Sequence, residues 1–341
     1  MKKKIQYYYG QALSSHEDLR TSVCCCEDSM PEYIKKIRSK VHPDVLKRFY
    51  GCGAPFPFEL KGKTVLDLGC GSGADVFVLS GLVGQEGKVI GVDMTKEQIE
   101  FANSYIQYHK DVFGYDESNV SFKLCDIENL EELAIPAGSV DVVVSNCVIN
   151  LAEDKQKVFN GVLKILADGG ECYFSDIFTD RRMSQDIATD PLLYSECIGG
   201  AMYFEDFRRI LYKCGIFDFR TVSNTDKEIN DHKIQELLGN VNIESATVRF
   251  FKLELDDKCE NYGQVAIYKG GMPFSEQAFI LDNHHEFIKG LPMPICINTA
   301  QMLSKTRFAK YFEVIGNEEV HYGLFPCCSK FDVSNKKKNC C

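Results

Sequence analysis

The sequence predicts an α/β protein built on a doubly wound parallel sheet, with an N-terminal extension and a smaller C-terminal α+β domain. Two observations predict this fold. Between residues 63 and 222, short and almost continuously apolar runs alternate with segments of helical spacing, the pattern of buried parallel strands covered by helices. The alternation is absent from residues 1–62 and stops after residue 222, which sets 223–330 apart as a second domain.

The predicted strands of the central domain are short apolar runs that end in glycine or polar residues: 64–68, 88–92, 120–124, 140–144, 171–177 and 216–222. The predicted helices have apolar residues at helical spacing: 75–82, 95–109, 154–166, 188–197 and 203–213. In such a sheet, ligands bind beyond the carboxyl ends of the strands. The loops that follow these strands are therefore where a site is expected.

The flanking regions are predicted from simpler signals. Residues 29–45 combine a capping box with apolar residues at helical spacing, and Pro43 marks a break in that helix. One helical face buries too little to form a core, so the N-terminal extension is expected to cover the active site. In the C-terminal domain, 245–255 and 264–269 are predicted strands, and 331–341 is a polar tail of Lys and Cys that is expected to be flexible.

Alternating glycines follow the first predicted strand. Gly69, Gly71 and Gly73 allow a ligand close to the backbone, because glycine lacks a Cβ and readily adopts positive φ. Asp93 ends the next strand, at the position where a carboxylate accepts hydrogen bonds from both hydroxyls of a ribose. Asp67 lies beside the loop, and an acid there suits a sulfonium and an ammonium better than a pyrophosphate. The sequence therefore predicts S-adenosylmethionine as the cofactor rather than a dinucleotide.

Charge and hydropathy narrow the choice of partners and location. The net charge is −10, and no basic stripe is present to attract nucleic acid. No apolar run approaches the roughly 18 residues of a membrane span, and the N-terminus lacks the apolar core of a secretory signal. We therefore expect a cytoplasmic protein with no nucleic-acid or membrane partner. No oligomerisation seam is evident, so a monomer is expected.

The chain has 16 cysteines, an anomaly for an intracellular protein of this length. Six lie in or beside apolar runs and fit small buried hydrophobes: Cys70, Cys125, Cys172, Cys214, Cys259 and Cys296. Four lie elsewhere: Cys24 in a polar loop, Cys52 between two glycines, Cys147 directly after the fourth strand, and Cys197 just before Gly199-Gly200. Singly, each fits a structural role. Together, on segments that can converge over one cofactor, they indicate a soft, thiophilic substrate.

Several segments around these residues resemble one family, the arsenite S-adenosylmethionine methyltransferases, whose catalytic domain is a class I methyltransferase Rossmann-like sheet. They are Tyr50-Gly51-Cys52-Gly53, Asp93-Met94-Thr95, Ser145-Asn146-Cys147-Val148-Ile149-Asn150-Leu151, Phe174-Ser175-Asp176 and Glu196-Cys197-Ile198-Gly199-Gly200. The resemblance extends from Tyr8 to Phe308. Sterol and ubiquinone methyltransferases share the glycine loop but not this set of cysteines.

The resemblance implies roles for the four cysteines. Those matching Cys147 and Cys197 hold trivalent arsenic together with Cys52. Those matching Cys24 and Cys52 take part in a disulfide relay that returns arsenic to the trivalent state. Cys25 or Cys26 can take the place of Cys24 in this scheme. The implied external reductant is thioredoxin or glutathione.

The predicted cofactor residues come from the loops that follow the first three strands: Asp67, Gly69, Gly71, Gly73, Asp93, Met94, Asp126 and Ile127. Asp126 is expected to accept a hydrogen bond from the adenine amino group, as acids after the third strand do in many methyltransferases.

Three functions are compatible with these patterns. The leading hypothesis is methylation of arsenite and then methylarsenite, for arsenic detoxification. The alternative enzyme is a methyltransferase of a small organic acceptor, in which the cysteines are incidental. The third possibility is a thiol-rich protein that binds or senses trivalent arsenicals without turnover.

Overall fold

The computed structural model describes residues 1–13, 30–229 and 231–326. Cys24 with its alternatives Cys25 and Cys26, and the tail 331–341, lie outside the described residues. In the described part of the chain, no helix combines the length and the hydropathy needed to cross a membrane.

The strands, in chain order, are β1 (Thr64–Leu68), β2 (Lys88–Asp93), β3 (Val120–Leu124), β4 (Val140–Asn146), β5 (Leu166–Thr179), β6 (Met202–Tyr203), β7 (Arg220–Asp226), β8 (Ile243–Phe251), β9 (Val265–Tyr268), β10 (Ala278–Asp282), β11 (His285–Ile288), β12 (Pro292–Pro294) and β13 (Phe312–Ile315). The α-helices are α1 (Lys2–Tyr7), α2 (Glu32–Arg38), α3 (Pro43–Leu46), α4 (Ala74–Val83), α5 (Lys96–Ser104), α6 (Ile106–Phe113), α7 (Lys155–Ile165), α8 (Gln185–Thr189), α9 (Pro191–Ser195), α10 (Phe204–Lys213), α11 (His232–Leu238) and α12 (Ile297–Ser304).

The main sheet has the strand order β3-β2-β1-β4-β5-β8-β7. Strands β1 to β5 are parallel, which confirms the predicted Rossmann-like architecture. Leu68 at the end of β1 lies beside Val92 of β2 and Ser145 of β4, so the loops after these strands meet at one edge. Separate apolar clusters cover the two faces of the sheet.

The sheet extends past residue 222, the limit expected from the sequence. The strand predicted at 245–255 within the C-terminal domain is β8, and it runs antiparallel to β5 from Thr179↔Ile243 to Glu171↔Phe251. The strand-helix alternation ends where the sheet changes from parallel to antiparallel pairing. Alternation is a signature of parallel crossovers, so it does not register an antiparallel edge.

Several element bounds also differ from the prediction. The strand expected at 171–177 is the longer β5, and the strand expected at 216–222 begins only at Arg220. The helix expected at 188–197 is divided into α8 and α9, because Asp190 caps a new helix that has Pro191 at its first position. The helix expected at 95–109 is likewise divided at Tyr105.

The C-terminal region forms two small sheets, the hairpin β10–β11 and the three-stranded β12-β9-β13, around an aromatic core. A buried ion triad joins it to the main sheet. The carboxylate of Glu171 on β5 accepts hydrogen bonds from Arg249 on β8 and from Arg307, which follows α12. Arg307 also donates to the carbonyl oxygen of Phe58 at 3.0 Å. One buried carboxylate thus connects three parts of the chain.

The N-terminal segment, α1 and its π-helical continuation Tyr8–Ala12, lies across the carboxyl edge of the sheet. Gln6 Nε2 donates to the carbonyl oxygen of Met94 at 2.9 Å, and Tyr9 Oη donates to that of Ser195 at 2.7 Å. The segment therefore bridges the loop after β2 and the end of α9. Helices α2 and α3 are separated before Pro43, where the sequence places the break.

Candidate active site

A cleft of about 930 Å³ opens at the carboxyl edge of the sheet. Its lining includes seven of the eight predicted cofactor residues: Asp67, Gly69, Gly71, Asp93, Met94, Asp126 and Ile127. Cys147 lines the same cleft. Gly73 is not part of the lining, and a Cβ at Gly73 would meet the rings of Phe122 and Phe77. Its absent side chain leaves room for these rings at the start of α4.

The glycine loop exposes its backbone to the cleft. Gly69, Gly71 and Gly73 have φ of +69°, +50° and +86°. A Cβ placed on Gly71 would have no neighbour within 4 Å, so a ligand has room to approach this backbone. Asp93 supports the turn: Oδ2 accepts from the Gly71 N–H at 3.0 Å and Oδ1 from the Thr95 N–H at 2.8 Å.

Three acids, the buried Asp67 and Asp75 and the half-buried Asp93, set the electrostatics of the cleft. Burial raises the pKa of Asp75 to about 6 and raises that of Asp93. The pKa of Asp67 is raised well above its usual range by burial and by the nearby charges of Asp75 and Asp93. Asp75 Oδ1 is buried and accepts no hydrogen bond from the described residues. Such a cluster favours a cationic ligand, which fits a sulfonium with an ammonium and opposes a pyrophosphate.

Asn146 at the end of β4 organises the junction between the cleft and the cysteines. Its Nδ2 donates to Asp75 Oδ2 at 2.8 Å and to the Gly53 carbonyl at 3.0 Å. Its Oδ1 accepts from the N–H groups of Cys52 at 3.0 Å and Gly53 at 3.2 Å. The sequence reasoning named neither Asn146 nor Asp75 as a site residue. Two signals in the sequence could have found them: Asn146 directly precedes Cys147, and Asp75 is an acid in the first helical turn after the glycine loop.

Cys52 and Cys147 are joined by a disulfide, with 5.8 Å between their Cα atoms and 95 positions between them in sequence. The glycines around Cys52 permit this approach. A Cβ on Gly51 would overlap Asn146, and a Cβ on Gly53 would overlap the Ser175 side chain. Both cysteines are buried, at 1% and 3% exposure.

Cys197 packs against the Cys147 segment, and its Sγ donates to the Cys147 carbonyl at 3.1 Å. Cys147 and Cys197 have φ of +57° and +64°, a left-handed conformation that is uncommon outside glycine. Such backbone strain is of order 1–3 kcal/mol and is concentrated at functional sites. The double glycine Gly199-Gly200 lets a neighbouring group approach the backbone closely. The neighbour is the chain's own backbone, because a Cβ on Gly200 would overlap the carbonyl of Asn150.

Asp176 lies next to the disulfide. One of its carboxylate oxygens and the sulfurs of Cys52 and Cys147 all lie within 4.8 Å of one another, a cluster that does not include Cys197. Oδ1 accepts from the Ile177 N–H at 2.9 Å and Oδ2 from the Asn150 N–H at 3.0 Å. Burial raises the pKa of this carboxyl to about 7. In the sequence, Asp176 stood out only as the last residue of Phe174-Ser175-Asp176, one of the segments that resemble the arsenite methyltransferases.

The N-terminal segment closes the side of the cleft. Lys2 Nζ contacts Asp126 at 2.6 Å and Glu128 at 3.0 Å, so the residue predicted to bind adenine is already paired with a cation. Tyr8 Oη donates to Glu196, next to Cys197, at 2.8 Å. The segment thereby contacts both the predicted cofactor loops and the predicted arsenic-binding segment.

Comparison with known proteins agrees with this geometry. Residues 59–231 match the methyltransferase domain family, and residues 261–338 match the arsenite methyltransferase C-terminal domain. The arsenite methyltransferase of Aquipseudomonas alcaligenes is 47% identical over 96% of this chain and 94% of that protein. The chain belongs to the arsenite methyltransferase family. This assigns it to the S-adenosylmethionine-dependent methyltransferases.

Other members of the arsenite methyltransferase family support the assignment. The rat arsenite methyltransferase is 41% identical over 91% of this chain and 84% of that protein. The crystal structure of CrArsM, an arsenic(III) S-adenosylmethionine methyltransferase from Chlamydomonas reinhardtii, has a TM-score of 0.84 and 41% identity. That match covers 87% of this chain and all of the solved one.

Proposed function

We propose that this enzyme methylates thiol-bound trivalent arsenic, first arsenite and then methylarsenite, in arsenic detoxification. One observation carries the proposal: Cys147 lines the carboxylate-rich cleft and is bonded there to Cys52, with Cys197 packed against the same loop. Thiolates are the ligands that soft ions prefer. This arrangement supports binding of a soft acceptor beside a site suited to a cationic methyl donor.

The cleft residues are proposed to hold S-adenosylmethionine, which supplies an electrophilic methyl group when bound. Gly71 offers open backbone and Gly69 lines the cleft beside Val148. Asp93 is proposed to bind the ribose, and Asp75 and Asp67 offer carboxyl groups whose charged form a cationic ligand stabilises. Met94, Asp126 and Ile127 line the rest of the cleft, where the adenine is expected.

The reduced cysteines are proposed to bind arsenic in place of its hydroxyls. Each As–OH group reacts with one thiol to give an As–S bond and one water. The thiol proton leaves with the hydroxyl in that water, so no general base is needed. The bound arsenic keeps its lone pair, which accepts the methyl group. The protein contributes position and orientation, which are worth up to about 7–11 kcal/mol in ideal cases.

Methyl transfer oxidises arsenic formally to the pentavalent state, and a thiol pair can return the two electrons by forming a disulfide. The Cys52–Cys147 bond supports a relay through these two residues. Cys24 remains the proposed further thiol of the relay. An external dithiol of the thioredoxin or glutathione system would then reduce the disulfide by exchange. This requirement for cellular thiols also underlies our proposal of a cytoplasmic location.

The decisive assay incubates the full chain with arsenite, S-adenosylmethionine and a dithiol, and separates arsenic species by chromatography with elemental detection. Methylated arsenicals are expected in the wild type and in Cys214→Ser. In the wild type the Cys214 thiol donates to the Gln156 carbonyl, and Cys214 does not line the cleft. The methylated products are expected to be lost in Cys147→Ser and Cys197→Ser.

The other two candidate functions give different results in this assay. A methyltransferase of an organic acceptor would leave arsenite unmethylated and would tolerate both serine substitutions with its own acceptor. An arsenical-binding protein would retain trivalent arsenic through gel filtration without releasing a methylated product. Either result would refute the proposed reaction.

A further inference from the structure

The position of Asp176 is not explained by arsenic chemistry. Arsenic(III) was expected to take Cys52, Cys147 and Cys197, which are all sulfur ligands. In the described part of the chain, one group of three potential metal-ligand side chains has its donor atoms within 4.8 Å of one another, and its third member is the Asp176 carboxylate. A carboxylate is a harder ligand, which trivalent arsenic prefers less than a thiolate.

The Asp176 carboxylate is fixed in place. Its two oxygens accept the backbone N–H groups of Ile177 and Asn150, at 2.9 Å and 3.0 Å, and the Ile149 N–H acts on the same carboxylate. Because a carboxylate has about four lone-pair sites, acceptor capacity remains. Asp176 is 0% exposed, so water does not compete for those lone pairs from bulk solvent. An immobile oxygen ligand therefore lies beside two sulfurs that become thiols when the disulfide is reduced.

We propose that the reduced protein binds a zinc-class divalent cation through Cys52, Cys147 and Asp176. Zinc takes Cys sulfur at about 2.3 Å and carboxylate oxygen at about 2.0–2.2 Å in tetrahedral sites, so its ligand atoms lie less than 4.8 Å apart. The carboxylate oxygen already lies within this limit of both sulfurs, and the sulfurs separate from their bonded distance when the disulfide is reduced. Two Zn–S bonds and one Zn–O bond to the Asp176 carboxylate replace Zn–water bonds of the hydrated ion, the two thiols lose their protons to water, and no electrons are transferred. Three protein ligands leave the fourth position to water.

A consequence follows for the reaction. Zinc would occupy two of the thiols that arsenite requires, so it would act as a competitive inhibitor and would be excluded by the disulfide. This consequence rests on the proposed function. Cation binding itself does not, and its test contains neither arsenite nor S-adenosylmethionine, so failure of one proposal is distinguishable from failure of the other.

The test uses the full-length reduced protein without oxygen, with Co²⁺ as an absorbing probe and Zn²⁺ against a chromophoric chelator. Because other cysteines also bind these ions, the readout is the difference in bound equivalents between variants. The wild type is expected to bind one high-affinity equivalent more than Cys52→Ser, and Cys214→Ser is expected to match the wild type. Equal stoichiometry in Cys52→Ser and the wild type would overturn the proposal.

Oxidation provides a control without substitution. Wild type in which the Cys52–Cys147 disulfide has been formed is expected to lose the same equivalent, and its retention would contradict the site. Zinc K-edge absorption at less than one equivalent is expected to show two sulfur and two oxygen ligands. A third sulfur in the spectrum would show that another cysteine, and not Asp176, is the third protein ligand, which would overturn the assignment.

The carboxylate is tested by Asp176→Asn, with Asp168→Asn as the control, since the Asp168 side chain is 98% exposed. Changes in the groups around a metal commonly weaken binding about 10- to 100-fold. We expect a loss of at least about tenfold for Asp176→Asn and none for Asp168→Asn. Unchanged zinc affinity in an Asp176→Asn protein that still binds S-adenosylmethionine would refute the role of this ligand.

Discussion

At the scale of single residues, we propose that the acids of the cleft favour its cationic cofactor. Asp67 is buried near Asp75 and the half-buried Asp93, and burial together with the charges of these two acids raises the pKa of Asp67. Asp75 has Asn146 as its hydrogen-bond donor for Oδ2, while its buried Oδ1 accepts no hydrogen bond from the described residues. A cationic ligand relieves both the repulsion and the unsatisfied oxygen.

Asp75→Asn is predicted to weaken S-adenosylmethionine binding about 10- to 100-fold. This factor corresponds to the loss of a hydrogen bond to a charged group, which contributes about 1.5–3 kcal/mol. In the wild type, the ionised carboxylate binds the cation. Because burial raises the pKa of Asp75 to about 6, affinity is expected to be constant well above this pH and to fall as the pH drops through it. The measurement is isothermal calorimetry of cofactor binding across this range.

Two controls accompany this measurement. Asp168→Asn removes an exposed carboxylate and is expected to bind like the wild type. Asp75→Asn is expected to lose the part of the pH dependence that Asp75 causes. Equal affinities and parallel pH profiles in Asp75→Asn and the wild type would exclude this role.

Cys52→Ser is predicted to impair arsenite methylation more than methylarsenite methylation, because methylarsenite already carries one carbon and needs only two protein thiols. Loss of a ligand is expected to slow the arsenite reaction at least about tenfold. Single-turnover measurements report this step without the relay. Equal losses on the two substrates would show that Cys52 does not distinguish them, and Cys214→Ser serves as the matched cysteine control.

At the scale of elements, the site depends on how the segment after α9 packs on the loop after β4. Cys197 donates to the Cys147 carbonyl, and Gly200 leaves no space between its backbone and that of Asn150. Asp176 on β5 also holds the loop, because its carboxylate accepts the Asn150 N–H. Two backbone segments in contact therefore set the distance between two of the proposed arsenic ligands.

Gly200→Ala is predicted to displace these segments, because the added methyl group would overlap the Asn150 carbonyl oxygen. Small displacements of reacting groups cost up to about 10²-fold in rate. We expect a loss of this order in arsenite methylation with little change in cofactor affinity, since the cleft glycines are untouched. Single-turnover rates and calorimetry measure the two effects.

The control for this substitution is Gly161→Ala in α7, where a new Cβ would lie 3.3 Å from the Leu130 side chain. Alanine is a better helix former than glycine, so little loss of stability or activity is expected there. If Gly200→Ala retained wild-type methylation, the close packing of these segments would not be required for activity.

At the scale of the whole molecule, Glu171 holds the C-terminal region on the sheet. Glu171 is 0% exposed and carries hydrogen bonds from Arg249 and Arg307, and Arg307 also reaches the backbone of Phe58. The main sheet and the C-terminal region share this carboxylate, and Arg307 links them to the end of the N-terminal extension.

Glu171→Gln is predicted to destabilise the protein by about 3–5 kcal/mol, because it removes the carboxylate that pairs with two buried guanidinium groups and leaves Arg307 only the charge of Glu59. Urea unfolding followed by circular dichroism measures the change. Asp168→Asn, which removes an exposed ion pair with Lys252, is expected to cost at most about 1 kcal/mol. Equal midpoints for Glu171→Gln and the wild type would show that the triad does not hold these parts together.

The sequence by itself determined the features that depend on neighbouring residues. The strands β1 to β4, the glycine loop and Asp93 were predictable because a buried strand, a turn and a helix start each leave a local pattern. The four cysteines could be singled out because glycines and strand ends beside them are also local signals. The antiparallel β8 was placed in the wrong sheet, since pairing between distant strands leaves no such pattern.

Only the tertiary structure decided which groups meet. The bond between Cys52 and Cys147 joins positions 95 apart, and Asn146, Asp75 and Asp176 acquire their roles through contacts across strands and loops. Such contacts depend on three-dimensional packing, so no spacing in the chain encodes them. For the same reason, tertiary contacts explain the glycines near Cys52 and Cys197. Side chains pack closely against Gly51 and Gly53, and backbone packs closely against Gly200.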